Sequence, residues 1–221
     1  VRRLKRNETI MSIDFVPAAI DKENSTKVES LYKEAFPKNE RAPLWFLRRK
    51  AKQSNVAFNS LYHNESWIGL LYTVEYRDIL LVIYLAIDAS YRSGGYGTKV
   101  LTALREDHPD KRIVLNVEQI DEQADNNVLR VKRKRFYEKN GYTSTGIIVE
   151  ELGQPFEMLI LGDFITPEET RQVYRSFLGK ILSLLPVLRV REMNTNVLVW
   201  CTPYRRWNLL YVVFIEREDD M

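Results

Sequence analysis

Apolar positions along this chain fall into runs with a helical period and runs with a strand period, and their order predicts the architecture. Met11 to Ala18 alternates loosely and reads as a first strand. Lys22 to Phe36 places Val28, Leu31, Tyr32 and Ala35 at helical spacing, and Pro37 ends that helix. Pro43 suits a first helical turn and opens a second helix through Trp45, Phe46 and Leu47 to about Gln53. Val56 to Tyr62 and Trp67 to Tyr76 then read as strands joined by the polar turn His63-Asn64-Glu65-Ser66. Ile79 to Ile87 is apolar on both faces, the signature of a central, buried strand.

A glycine cluster follows that strand. Thr98 to Arg105 reads as a helix with Val100, Leu101 and Leu104 inward, and His108-Pro109-Asp110 as a turn. Arg112 to Val117 is a further strand. Asn126 to Asn140 is a helix closed by Gly141. Tyr142 to Val149 and Phe156 to Leu161 pair as a hairpin. Thr166-Pro167-Glu168-Glu169 opens a last helix with a hydroxyl cap, a proline and two acids favoured by the helix dipole. It runs to about Leu185, with a break near Gly179, and Pro186 ends it. No internal repeat is visible.

Composition narrows the function classes. A length of 221 residues suits one α/β domain with appendages, and 45% hydrophobic residues allow a sizeable core. A net charge of +3 argues against nucleic acid as a partner. The basic runs Arg48-Arg49-Lys50 and Lys132-Arg133-Lys134-Arg135 read first as solvated helix faces. Cys201 stands alone, so neither an intrachain disulfide nor a thiolate zinc cluster is expected, and His63 and His108 read as polar surface residues. No metal is expected. No run approaches the ~18 apolar residues of a membrane span, and no signal-peptide pattern opens the sequence. The expectation is a cytoplasmic protein without a membrane partner.

The chemistry concentrates in Leu80 to Leu104. The first N–H groups of a helix lack intrahelical partners and carry partial positive charge. Glycines let an anion approach those bare amides. The segment Arg92-Ser93-Gly94-Gly95-Tyr96-Gly97, followed by Thr98, stands where a buried strand meets an amphipathic helix. It is neither the dinucleotide pattern G-x-G-x-x-G nor a P-loop. Arg92 could add a charged contact to a diphosphate.

Those six residues resemble the Q/R-x-x-G-x-G/A pyrophosphate signature of the GNAT superfamily of N-acetyltransferases. A second stretch, Arg135-Phe136-Tyr137-Glu138-Lys139-Asn140-Gly141-Tyr142, resembles the family's later motif, an aromatic-Tyr pair followed by Gly-Phe/Tyr. The strand and helix order fits from about Met11 to Leu161. The resemblance implies the GNAT-like acyl-CoA N-acyltransferase fold, an α/β (α+β) arrangement of one mixed, mostly antiparallel sheet flanked by helices. It implies acetyl-CoA as cosubstrate, with its pantetheine arm against Leu85-Ala86-Ile87 and its phosphates on Arg92 to Thr98. Tyr137 takes the place of the tyrosine that protonates the departing thiolate, and a positioned donor there has an independent physical rationale; core packing beside Phe136 is the other reading.

The sequence departs from the family in two places. The strand before the signature carries no acid, so Glu75 on the preceding strand and Glu118 on the following one are the candidate bases. Glu118 shares a strand face with Asn116 by the period of two. Arg130 stands where many members carry a pantetheine-binding asparagine. Helix periodicity lets only one or two of Lys132 to Arg135 face inward.

The resemblance implies direct attack of a primary amine on acetyl-CoA in a ternary complex. The acceptor, a small molecule or a peptide, would lie near Phe36 to Pro43, with Glu40 drawing the amine and Trp45 or Phe46 walling it. A non-catalytic CoA- or acyl-CoA-binding module is the alternative. The domain is expected over residues 11–194. Residues 1–10 and 195–221 read as extensions, the latter an added strand pair, a homodimer contact or sequence outside the evolved domain.

Overall fold

Ile79–Ile87, the most apolar run, is buried along its whole length and forms β4 near the middle of a single sheet. The computed structural model describes residues 12–18, 22–36, 38, 41–151, 154–179 and 188–193. Before β4 come β1 (Ile13–Pro17), α1 (Lys22–Ala35), α2 (Leu44–Lys50), β2 (Val56–His63) and β3 (Ser66–Tyr76). After it come a 3-10 turn (Ala89–Tyr91), α3 (Tyr96–Asp107), β5 (Arg112–Glu118), α4 (Asn127–Lys139), β6 (Thr143–Glu151), β7 (Gln154–Leu161), α5 (Pro167–Leu178) and β8 (Leu188–Glu192). The eight described strands lie in the order β1-β2-β3-β4-β5-β7-β6-β8. Only the β4–β5 pair is parallel; the others are antiparallel. This is the single mixed, mostly antiparallel sheet that the order of elements implied.

Apolar residues build one core on each face. On one side α1, α2 and α5 bury Leu31, Tyr32, Leu47, Val173 and Phe177 against the sheet. On the other, α3 and α4 bury Val100, Leu101, Leu104 and Tyr137. α5 begins with a full capping box between Thr166 and Glu169, an arrangement that stabilises a helix start by ~1 kcal/mol.

One irregularity in β4 shapes the rest of the molecule. The register with β3 pairs Thr73 with Val82 but Tyr72 with Tyr84, so Ile83 is an extra, bulged residue. Ile79, Leu81 and Ile83 face the α1/α2/α5 core, and so do Tyr84 and Ala86. Leu80 and Val82 face the other core, and so do Leu85 and Ile87. The alternation therefore slips by one residue at the bulge. Beyond it β4 leaves β5: their pairing runs from Ile79–Arg112 to Val82–Leu115 and stops.

Several sequence expectations change. His63 is not a surface residue; it ends β2, is buried, and meets the Tyr96 ring edge-on at 5.2 Å. The β2–β3 turn is shorter than read, because strand pairing reaches His63–Ser66 and leaves Asn64 and Glu65, both at positive φ, as the two-residue loop. α5 runs to Leu178, with Gly179 at φ 86° as its cap, where the sequence reading put a break; the continuation to about Leu185 lies outside the described residues. Leu188–Glu192 is an additional strand pairing with β6. Residues 1–10, residues 195–221 and Glu40 lie outside the described residues.

Candidate active site

The opening between β4 and β5 starts beyond Val82 and Leu115. Leu85, Ala86 and Ile87 line its β4 side and are all buried. On the β3 side the same segment is held close: a Cβ on Gly69 would stand 2.2 Å from the Ala86 carbonyl oxygen. Gly69 thus lets β4 lean toward β3 and away from β5, a role invisible in an isolated strand glycine.

At the top of the opening Asp88 accepts a hydrogen bond from the Ser90 amide at 3.0 Å and starts the 3-10 turn. Ser93 (φ 61°) and Gly95 (φ 73°) then reverse the chain into α3. The first helical bond there joins the Lys99 amide to the Gly95 carbonyl at 3.1 Å. The amides of Tyr96, Gly97 and Thr98 therefore precede the helical ladder. Ser93, Gly94, Gly95 and Thr98 are exposed, and Gly97 is buried. A Cβ on Gly95 would meet nothing within 4 Å, so open space lies over this turn.

Two side chains near the turn have structural work. Arg92 is expected from sequence to meet an anion. Its largely buried guanidinium instead bonds the Ile87 carbonyl at 3.0 Å through Nε and Glu34 of α1 at 3.5 Å through Nη2. Tyr96 is wedged between Tyr91 and His63, with the Lys99 ammonium 4.8 Å from its ring centre.

α4 closes the opposite side. Its two buried residues, Arg133 and Tyr137, stand one turn apart on one face. Tyr137 is fully buried between Phe136 and Tyr142, and its hydroxyl has no hydrogen-bond partner among the described residues. Burial pushes its phenol well above the ordinary tyrosine value, and the Arg133 guanidinium partly opposes that. Of the basic run, Arg133 is buried, Lys134 is half-buried against Glu157 at 2.8 Å, and Lys132 and Arg135 are exposed.

The candidate bases sit apart. Glu118, the last residue of β5, lies on the open side. It ion-pairs with Arg133, accepts from Asn126 Nδ2 at 3.1 Å and has Arg130 Nε at 4.0 Å. Asn116 instead donates to Tyr174 of α5 at 2.5 Å. The strand period expected one shared face; Glu118 instead bonds residues at and near α4, although it is still paired with Phe156 of β7. Glu75 pairs with Leu80 in the sheet, at the closed end, and bonds Lys111 at 2.5 Å. The structure brings Glu118 and Tyr137 to the open end and leaves Glu75 at the other.

On the α1/α2 side, Tyr32 donates to the Ala42 carbonyl at 2.9 Å, and the Tyr84 hydroxyl accepts from the Ala42 amide at 3.2 Å. These bonds tie the end of the α1–α2 connection to the displaced part of β4. Trp45 is exposed, while Phe46 packs on Phe177.

Sequence reading missed Gly69, the Ile83 bulge, and the Glu118–Arg133 pair. Only the last left a usable trace, the four-residue spacing of Arg133 and Tyr137 on one helix.

Residues 54–144 match the family described as an acetyltransferase (GNAT) domain. No curated protein matches the chain. A solved structure from Bacteroides thetaiotaomicron, assigned to the GNAT acetyltransferase family, is similar at 22% identity, with 78% of this chain and 98% of that chain covered and a TM-score of 0.60. An aminoglycoside 6'-N-acetyltransferase complexed with coenzyme A is similar at 16% identity, covering 68% and 96%, with a TM-score of 0.55. A ribosomal-protein-alanine N-acetyltransferase from Escherichia coli is similar at 14% identity, covering 70% and 95%, with a TM-score of 0.50. These likenesses are of fold. No helix among the described residues is long and apolar enough to cross a membrane.

Proposed function

We propose that this chain transfers the acetyl group of acetyl-CoA to a primary amine by direct attack in a ternary complex, a reading supported by the match of residues 54–144 to the GNAT acetyltransferase domain family and by the likeness of fold. The observation that carries this reading is the opening between β4 and β5, which leads to the exposed amides of the glycine turn. Leu85, Ala86 and Ile87 offer strand backbone to an extended pantetheine arm. The amides from Ser93 to Thr98 offer donors to its diphosphate, where open space over Gly95 leaves room. Arg92 holds the turn to the strand end and contributes its charge from behind.

Tyr137 is the donor for the departing sulfur. A buried hydroxyl without a partner is costly unless a ligand supplies one. The amine needs a neutral nitrogen to attack. Glu75 is engaged by Lys111, and Glu118 by Arg133 and Asn126. Proton loss from the amine is therefore assigned to solvent at the open end, with Glu118 as an anchoring carboxylate.

The acceptor side is assigned to the wall formed by α1, α2 and the Ala42 connection, fastened to Tyr84. Structures of like fold act on an aminoglycoside and on a protein alanine. Both are amines, and a small-molecule or peptide amine is the acceptor class proposed. The domain is proposed over residues 11–194, which the pairing of β8 with β6 supports.

An acceptor screen with acetyl-CoA and a thiol-release readout tests the reading. Amine-dependent release is expected. A CoA-induced rise in melting temperature without release for any amine would leave a non-catalytic CoA-binding module instead.

A further inference from the structure

Lys50 ends α2 with its ammonium beside two aromatic rings. Its Nζ stands 5.7 Å from the ring centre of Phe46, one turn earlier on α2, and 5.8 Å from that of Phe177 on α5. The two rings meet edge-on, 5.7 Å apart, and form one apolar corner where the helices join. A Cβ on Gly179, the cap of α5, would stand 3.9 Å from Nζ. Glycine there leaves the amine without a side chain over it on that side, and Lys50 is half-buried, not sealed.

A lysine in such a corner ordinarily answers a carboxylate. Among the described residues Lys50 has neither an ion pair nor a side-chain hydrogen bond. The charged groups around it supply no counter-ion. On α2, Arg49 adds a like charge, and Arg48 is held by Glu29 at 3.1 Å. On α5, Glu168 is engaged by Arg171 and Arg175 at 3.3 and 3.9 Å. On β3 beneath the helices, the Tyr72 hydroxyl is engaged by the Leu47 carbonyl at 3.1 Å. At these distances the rings lie near the outer reach of a cation–π contact, so they keep water from the ammonium more than they hold its charge. Burial accordingly pulls the Lys50 amine below its ordinary value, and the Arg49 charge adds to that pull. More of it is the free base at neutral pH than of an exposed lysine.

We infer that Lys50 is a modification site, whose amine takes an acetyl group directly from an acetyl thioester. The inference goes beyond the transfer reading above: the acetyl group ends on this chain, and the reaction needs neither the glycine turn nor Tyr137. In the step, the neutral Nζ forms a bond to the thioester carbonyl carbon. The carbon–sulfur bond breaks and its electron pair leaves with sulfur. The nitrogen gives up one proton, so an amide and a thiol result. A neutral acetamide then lies against Phe46 and Phe177, where no charge has to be kept from water. Lys50 closes α2, so the modification alters the joint between α5 and the helix that walls the proposed acceptor side.

Peptide mass spectrometry of the full chain, incubated with acetyl-CoA or with the acetyl thioester of N-acetylcysteamine, tests this. The second thioester lacks the nucleotide and so bypasses the glycine turn. The exposed Lys52 and Lys132 in the same sample are the reference. Near neutral pH, Lys50 should be acetylated faster than either, by both thioesters. The ratio should fall between about pH 7 and about pH 10.5, by up to roughly tenfold for each unit that separates the two amines. Phe46→Leu removes one ring, keeps an apolar side chain, and should bring the neutral ratio toward one. The pH series on the unaltered chain decides the matter even where that variant fails to fold. A ratio constant with pH would overturn the inference, because Lys50 would then differ from the reference in access alone. A neutral rate at or below the reference would overturn it as well. Labelling by acetyl-CoA but not by the small thioester would also overturn it, and would make Lys50 an acceptor for the transferase site of another copy.

Discussion

Arg92 donates from Nε to the carbonyl of Ile87 at 3.0 Å, joining the last residue of β4 to the glycine turn five residues later. The Arg92 side chain is 8% exposed, so the bond forms largely away from competing water. Its contact with Glu34, a carboxylate 60% exposed at 3.5 Å, adds little. Arg92→Ala is expected to cost about 1–3 kcal/mol in denaturant unfolding, typical of a hydrogen bond to a charged group. It should weaken CoA binding as well, because the turn loses its tether. Arg92→Lys keeps the charge without the planar fork and should recover only part of either loss. Unchanged CoA affinity in Arg92→Ala would show that the turn holds its shape unaided.

Gly95 separates shape from function. Its φ of 73° strains any other residue by ~1–2 kcal/mol, yet an added Cβ would touch no protein atom. Gly95→Val should therefore fold, somewhat destabilised, and lose the rise in melting temperature that CoA is expected to give the unaltered chain. A folded Gly95→Val protein with a full CoA response would remove the phosphates from this turn.

Tyr137→Phe should move stability and turnover in opposite directions. Removing a buried hydroxyl that has no protein partner should leave stability unchanged or raise it. If Tyr137 is the donor proposed for the departing sulfur, its loss should lower kcat roughly 10²–10³-fold with acetyl-CoA affinity nearly intact. Unaltered turnover would return Tyr137 to a packing residue.

Acid stability should depend on Glu169. Arg112 hydrogen-bonds its carboxylate at 2.8 Å, and the Thr166 amide and hydroxyl bond it too; together they hold its pKa at about 2, below the ordinary 4.5. A lowered folded pKa means stability that is full above about pH 4.5 and lost as pH falls toward about 2. Glu169→Gln should lower stability by about 1–2 kcal/mol at neutral pH and flatten the loss across that acid window. Asp78, the other carboxylate on Arg112, is also lowered, first by its hydrogen bond to that arginine. A residual acid limb from Asp78 should remain.

The elements that sequence revealed were those whose period repeats. α1, α3 and α5 showed their inward faces, and Thr166-Pro167-Glu168-Glu169 marked its cap because capping is local chemistry. The glycine turn stood out because residue type alone carried its signal. The Ile83 bulge was hidden for a physical reason: a strand apolar on both faces has no alternation to interrupt. His63 was misread because polarity predicts exposure, and nothing local tells that Tyr96 will cover the ring. Leu188-Arg189-Val190-Arg191 did alternate, but a run so short competes poorly with the longer helix before it. The partners of Glu118 come from another element, so no window of sequence contains them.

Removing Ile83 would leave Leu81, Val82, Tyr84 and Leu85 in strict alternation, each still on the face it occupies now. The hydrophobic pattern would be satisfied at least as well as before, and nothing in it would stop β4 from continuing to zip onto β5. In evolutionary terms, the register shift that precedes the opening is the addition of a single codon. An insertion at this point would be nearly silent to selection for folding, and visible only to selection for what the slot can hold.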